Sequence, residues 1–258
     1  MHTNFWRALL LSFLFSGDVG AYQEEDWDDD WEEDVQAPYS ISGFIEGGFG
    51  KFLQQNIVKH DQSIAELRGR LEFVYEFSQL TFNAKGDLAA DDISGDIRWK
   101  TRELNLAGSL SENLDIKLGR QVLTWGTGDY LFLNDVFAKD WQSFFSGRDD
   151  EYLKSHTDGL KLSYYWQDLG IDLVWSPKFN ADTYITGERF SFFSPFMSQQ
   201  IAPSNEFIVE EQNSDTFALR LTVPVYGTDV AMYFNKGFWN TPQAINNIGT
   251  PYFAELNT

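Results

Sequence analysis

The sequence predicts an all-β protein, specifically an antiparallel up-and-down transmembrane β-barrel. Three observations carry that expectation. Stretches that alternate apolar and charged residues recur from Tyr39 onward, the links between them alternate between short and long, and the chain opens on a secretory-type leader. Successive residues of a strand face opposite sides, so each alternating stretch builds a sheet with one apolar and one charged face. A soluble sandwich also alternates. It has no reason to gather its long loops at one end, whereas outer-membrane barrels pair short periplasmic turns with long extracellular loops.

The leader, "MHTNFWRALLLSFLFSGDVGA", has Arg7, an apolar run over residues 8–15 and the small-residue pattern Val19-Gly20-Ala21. This predicts a signal peptide over residues 1–21, too short for a spanning helix and cleaved after Ala21. Residues 22–38 follow, with nine acids between Glu24 and Asp34 and no base. Self-repulsion predicts a disordered periplasmic segment. It reads as a solvating spacer, or as a docking peptide that offers Trp27 and Trp31 to a periplasmic partner. Residues 39–258 then form the barrel. The absence of cysteine excludes disulfides, thiolate metal sites and a lipidated cysteine. A net charge of −20 repels phosphate backbones, which excludes nucleic acid as a partner. No later stretch is apolar for long enough to span as a helix, so membrane residence requires a barrel.

The strands follow in order. The first, residues 39–52, sets Ile41, Ile45 and Phe49 against Ser40, Ser42 and Glu46, with glycines that suit a curved wall. The second, residues 64–77, sets Leu67, Leu71, Phe73, Tyr75 and Phe77 against Glu66, Arg68, Arg70, Glu72 and Glu76. After a tight turn at Ser78-Gln79, the third sets Leu80, Phe82, Ala84 and Leu88 against Thr81, Asn83, Lys85 and Asp87. The fourth, residues 96–110, changes phase between Trp99 and Leu104. An inserted residue near Thr101-Arg102 restores one apolar face, which predicts a β-bulge there and keeps Arg98, Lys100 and Glu103 on the polar side.

The fifth strand, residues 114–125, alternates Leu114, Ile116 and Leu118 with Asp115 and Lys117, then puts Arg120 on the apolar parity. Either a second bulge turns Arg120 inward or it sits near a membrane interface. The sixth sets Leu160, Leu162, Tyr164 and Trp166 against Lys161 and Ser163. The seventh sets Ile171, Leu173 and Trp175 against Asp172 and Val174. The eighth sets Phe217, Leu219, Leu221 and Val223 against Arg220 and Thr222. The ninth sets Val230, Met232 and Phe234 against Tyr233 and Asn235. The short links are 78–79, 110–113, 167–170 and 225–228. The long ones lie near 53–62, 89–95, 126–157 and 178–215. Nine strands are odd and bacterial single-chain barrels are even, so the pattern predicts an incomplete, larger barrel.

The loops carry the most distinctive motifs. "GRQVLTWGTGD" (119–129), "NDVFAKDWQSFF" (134–145) and "ITGERFSFFSP" (185–195) resemble an uncharacterised family of proteobacterial outer-membrane barrels. That family is porin-like and distantly similar to alginate-export-type barrels. The likeness covers about residues 98–240 and implies a channel-type barrel without naming a substrate. Independently, Gly126 and Gly128 permit a bend out of the fifth strand. Asn134 is placed to cap a helix over 135–145 with Phe137, Trp141 and Phe145 on one face. Such a helix either folds into the lumen or packs on the rim. Asp135, Phe137, Asp140 and Trp141 are therefore the candidate constriction residues.

"GRDDEY" (147–152) with Asp140 lacks the ligand spacing of a calcium loop. It reads as solvated charge bridging lipopolysaccharide through divalent ions. His156 near Asp158 reads as a surface loop histidine, and no nucleophile elbow, phosphate loop or paired metal ligands appear. The sequence thus predicts a non-enzyme with neither metal nor cofactor, in the Gram-negative outer membrane. Its expected partners are lipid, lipopolysaccharide and the barrel assembly machinery. The expected function is passage of a small hydrophilic solute or exported polymer along a lumen lined by charges of both signs. The alternative is a non-transport surface barrel, an adhesin or a scaffold for a partner protein.

Overall fold

The computed structural model describes residues 37–53, 57, 58, 60–125, 134–185, 187, 189–194, 198–202, 214–245 and 251–258. The chain divides into a unit over residues 1–36 and a unit over 37–258. The expected signal peptide and all but the end of the acidic segment lie outside the described residues, as do Gly126 and Gly128.

The second unit is built from strands β1 (Tyr39–Lys51), β2 (Gln62–Phe77), β3 (Leu80–Asp91), β4 (Asp96–Ser111), β5 (Leu114–Val122), β6 (His156–Trp166) and β7 (Leu169–Ser176). The long connection after β7 carries β8 (Phe192–Ser194) and β9 (Gln199–Ile201). β10 (Thr216–Val225) and β11 (Thr228–Phe238) follow, then β12 (Ala244–Ile245), β13 (Pro251–Tyr252) and β14 (Glu255–Asn257). Ten strands form one sheet in the order β1-β2-β3-β4-β5-β6-β7-β10-β11-β14, with every neighbour antiparallel. β8 pairs with β9, and β12 with β13. The nine strands read from the sequence are β1 to β7, β10 and β11. The count is corrected to ten by β14, whose three residues are too few to show an alternation.

The short-turn end of the sheet is closed by two-residue hairpins. Ser78, Gln167 and Tyr226 take left-handed φ angles of 56°, 52° and 50°, and Gly227 follows Tyr226 at 78°. Two-residue hairpins favour such positive-φ turns because they match the twist of the strands. The opposite end carries the connections 52–61, 92–95, 123–155, 177–215 and 239–254. One of these corrects the expected contrast in length. Residues 89–91 continue β3, so the β3–β4 link is four residues.

The bulge stands where the phase changed. Lys85 faces Glu103 and Gly86 faces Thr101, so Arg102 is the extra residue. Beside it Trp99 lies over Gly86, where an added Cβ would come within 2.2 Å of the indole ring. Arg120 is not turned inward. It stands directly opposite Asp158 on the face that carries Leu118 and Leu160, and the two side chains pair at 2.7 and 2.8 Å.

Burial in this sheet runs opposite to that of a soluble domain. Ile45, Phe49, Leu71, Trp99, Leu104, Trp166 and Met232 are exposed, Ile45 to 81% and Phe49 to 70%. Among the described residues, 18 buried side chains are polar or charged and 11 are apolar. A water-soluble interior shows the reverse, since buried charge is tolerated only when it is paired. A small apolar cluster of Leu123, Trp125, Phe137, Val174 and Ala218 sits where the loop after β5 meets β7 and β10.

Candidate functional site

The site is a charge network on the polar face of β1 to β4, with a loop folded onto it. β2 presents Glu66, Arg68 and Arg70 from one side because they alternate. The sheet register then places Arg70 opposite Asp87 and Asp87 opposite Lys100. It likewise places Glu72 opposite Lys85 and Lys85 opposite Glu103. Opposite charges thus become cross-strand neighbours across three strands.

Asp87 is the hub and is 1% exposed. Arg70 forks onto it with Nε–Oδ1 at 2.7 Å and Nη2–Oδ2 at 3.1 Å. This is the bidentate geometry that makes an arginine–carboxylate pair specific as well as strong. Arg68 approaches Asp87 to 3.6 Å and Arg102 to 4.0 Å. Arg102 is 2% exposed, because the bulge drives its side chain into the network. Its Nη2 donates to the carbonyl oxygens of Glu151 at 2.9 Å and Lys154 at 3.2 Å. Its Nε has no hydrogen-bond partner among the described residues.

The covering segment is positioned by two caps. Asp140 accepts from the backbone N–H of Ser143 at 2.9 Å, starting the short helix α1 (Trp141–Ser146), and also accepts from Lys100 Nζ at 3.2 Å. Asp149 accepts from Glu151 N at 3.0 Å and starts a 3-10 turn over Asp150–Leu153. That turn delivers Glu151 and Tyr152 to the middle of β2. Glu151 accepts from Arg70 Nη1 at 2.5 Å, with Lys85 at 3.6 Å and Arg102 at 3.8 Å. The Tyr152 ring packs under three guanidinium groups, at 4.0 Å from Arg68 and 5.0 Å from Arg70 and Arg102. Its hydroxyl donates to Glu46 at 3.2 Å. Arg148 forks onto Glu66 at 2.6 and 3.1 Å and donates to Ser143 Oγ at 3.0 Å.

These contacts shift the titration of the loop's ionisable groups. Burial opposes ionisation of Glu151, but the hydrogen bond from Arg70 and the charges of Arg70, Lys85 and Arg102 hold its carboxyl below the usual glutamate value. Burial pushes the Tyr152 phenol up to about 12. Burial also lowers Arg189, whose Nη1 donates to the carbonyl of Ser63 at 3.0 Å and whose Nη2 pairs with Asp91.

The other half of the polar face is more open. Asp172 accepts from Ser163 Oγ at 2.5 Å and from Arg220 at 2.5 and 3.0 Å, with Lys161 at 3.5 Å. Arg220 lies 5.5 Å over the Trp125 ring. Lys117 reaches Glu103 at 3.3 Å. Two cavities of similar size flank the network. One, of about 330 Å³, lies toward the long loops, between the sheet and residues 140–152, and is lined in part by Glu66, Arg68, Asp91, Lys100, Arg148 and Arg189. The other, of about 320 Å³, lies toward the short turns of β4 to β6, beside Ser109, Asp115, Lys117, Lys161, Ser163 and Tyr165.

The expected lining residues thus meet on one face, with three at its margins. Glu76 is exposed beside the first hairpin, Asp115 accepts from Ser109, and Arg98 pairs with Asp96 at the strand end. Three loop expectations are corrected. The helix covers Trp141–Ser146 with Asp140 as its cap, in place of 135–145 capped by Asn134. Phe137 lies outside the helix and packs on Trp125 at 5.0 Å, while Asp135 accepts from Lys139 at 2.8 Å and Trp141 Nε1 donates to Asp182 at 2.9 Å. Within "GRDDEY", Arg148, Glu151 and Tyr152 are not solvated charge but contacts to β1–β4. The sequence reading did not place Arg102, Arg148, Glu151, Tyr152 or Arg189 in this network. Only Arg102 left a signal, the phase change that marks the bulge.

Among the described residues no group of three or more His, Asp or Glu is placed to hold a metal, and no helix is long and apolar enough to cross a membrane. No family model matches the chain, and no curated protein does.

Proposed function

We propose that the chain is an outer-membrane β-barrel channel for small hydrophilic solutes, narrowed at mid-height by the loop over residues 134–155. The observation that carries this is the inverted burial, a broad exposed apolar face opposite a buried network of paired charge. In lipid the first face is solvated by acyl chains and the second turns toward water. The dimensions agree. Tyr39 and Phe49 face outward on β1, ten residues apart, which is about 33 Å along a strand and about 25 Å of height at a tilt near 40°. In this reading the sheet closes on itself, and the apolar-face pair Arg120–Asp158 marks the outer-leaflet interface.

A second reading has a specific observation in its favour. The β1–β4 charges are paired with one another and covered by Arg148, Glu151 and Tyr152. A barrel plugged in this way serves as a surface scaffold or adhesin and carries no current. Folded protein reconstituted in planar bilayers separates the two. Discrete, ion-selective conductance steps support the channel. A correctly folded, membrane-inserted protein that stays silent supports the plugged barrel.

A further inference from the structure

We propose that the cavity of about 330 Å³ between the polar face and residues 140–152 binds a small organic anion through its carboxylate or phosphoryl oxygens. This rests on the channel reading and names the class of solute that channel selects. The chain as a whole carries −20, yet this cavity is lined by five cations and four acids. The acids are already engaged. Glu66 is held by Arg68 and Arg148, Asp91 by Arg189, Asp140 by Lys100, and Asp87 by Arg70 from outside the lining. The cations are engaged as well, Arg98 by Asp96, and the lining keeps one net positive charge.

Two cations of the lining bear on such an anion. Arg189 is 4% exposed, and its Nε has no hydrogen-bond partner among the described residues, although both of its Nη atoms are engaged. That Nε is closed off from the open space, so Arg189 acts on an anion in the cavity through the charge of its guanidinium. Lys100 donates to Asp140, and its ammonium has three donors to distribute. Arg148 and Arg189 both line the cavity, so an anion held there offsets the charge of both. Ser94, Gln142 and Thr183 add hydroxyl and amide groups to the lining, which suits an organic ion larger than chloride.

The test is isothermal titration of the folded full chain in detergent with succinate, with inorganic phosphate, and with erythritol as a neutral solute of similar size. We expect saturable binding of at least one anion and none of erythritol. The preferred anion tells a carboxylate site from a phosphoryl site. Arg189→Gln should weaken binding at least tenfold and Arg189→Lys less. Lys100→Gln, at a more exposed position, should weaken it several-fold and decides the matter if the Arg189 variants do not fold. The proposal is overturned if neither anion binds, if erythritol binds as tightly, or if binding is unchanged in the folded variants. Because the readout needs no current, a protein that binds but does not conduct refutes the channel alone. One that conducts without binding refutes this site alone.

Discussion

The two halves of the polar face obey the same sequence rule and reach different states. On β1 to β4, the arginines of β2 and β4 share Asp87, Glu66 and Glu151, and Arg68, Arg70, Asp87 and Arg102 are all buried. On β5 to β10, Asp172 gathers Arg220 and Lys161, whose side chains keep 27% and 29% exposure, beside an open cavity. Alternation sets both rows of charge. The difference comes from the loop, which places Arg148, Glu151 and Tyr152 on the first half. A ladder of charges is therefore locked or wet according to what folds onto it.

The largest effect that breaks this contrast is at the hub. Removing one partner of a buried ion pair leaves uncompensated charge and costs about 3–5 kcal/mol. We expect Asp87→Ala to lose that much in denaturant unfolding from micelles, since three guanidinium groups would face one another. Asp115→Ala, on the open half beside Ser109, should change stability by less than about 0.5 kcal/mol, the usual effect of a surface change. Equal losses at the two positions would contradict the locked-versus-wet distinction.

Next in size is the choice of face. Phe73 lies on the apolar face, packed edge-on against Phe82 at 6.3 Å, while its neighbour Glu72 forms an ion pair with Lys85 at 3.3 Å. Phe73→Arg should cost about 2–4 kcal/mol and impair insertion, the penalty for a lipid-facing arginine near mid-membrane. Glu72→Arg should insert normally and shift selectivity toward anions in a bilayer recording. If Glu72→Arg is the more damaging change, the assignment of faces is reversed.

These two tests use what was legible in the sequence, namely the parity of each strand. Period-two alternation is a local property, so it survives without tertiary information. That is why Glu66, Arg70, Asp87 and Asp172 were placed on one face from the chain alone. Even the bulge was readable, because Ile97 and Trp99 disagree in phase with Leu104 and Leu106. What folds onto that face was not readable. "GRDDEY" has no period, and its engagement depends on a 3-10 turn capped by Asp149 and on strands remote in the chain. β14 escaped for a related reason. Its identity comes from pairing with Lys236–Phe238 of β11, not from its own three residues.

A smaller effect concerns the Tyr152 lid. Tyr152→Ala should remove about 2 kcal/mol of cation–π attraction and expose residues 148–155 to protease. Tyr152→Phe keeps the ring and loses only the hydrogen bond to Glu46, about 0.5–1.5 kcal/mol. Limited proteolysis of the two variants separates ring from hydroxyl. If neither is cut faster than the parent, the lid is not held by Tyr152.

The smallest effect is the pH dependence of the same lid. Glu151 has a lowered pKa when docked, so its contribution is present above the ordinary glutamate value of 4.5 and is lost as pH falls through the lower docked value. Tyr152 has a raised pKa, so its contribution is present below the ordinary 10.0 and is lost as pH rises through about 12. Protease sensitivity of 148–155 should therefore rise in acid, with Glu151→Gln removing most of the acid limb. An unchanged acid limb in that variant would assign it to another carboxylate.

The most direct test of the central claim, lipid on one face and water on the other, uses the absence of cysteine from the chain. Single cysteines placed in turn at positions 68 to 77 of β2 report their surroundings without background. After reconstitution in liposomes, each is assayed for labelling by a water-soluble maleimide and, with a fluorescent adduct, for quenching by brominated lipid. The account predicts strict alternation. Positions 71, 73, 75 and 77 should be quenched by lipid, and positions 72 and 76 labelled from water. Positions 68 and 70 should stay protected from both until the lid is opened by Tyr152→Ala. Aqueous labelling of 71, 73 and 75 without lipid quenching would contradict the account and make the sheet one wall of a soluble protein.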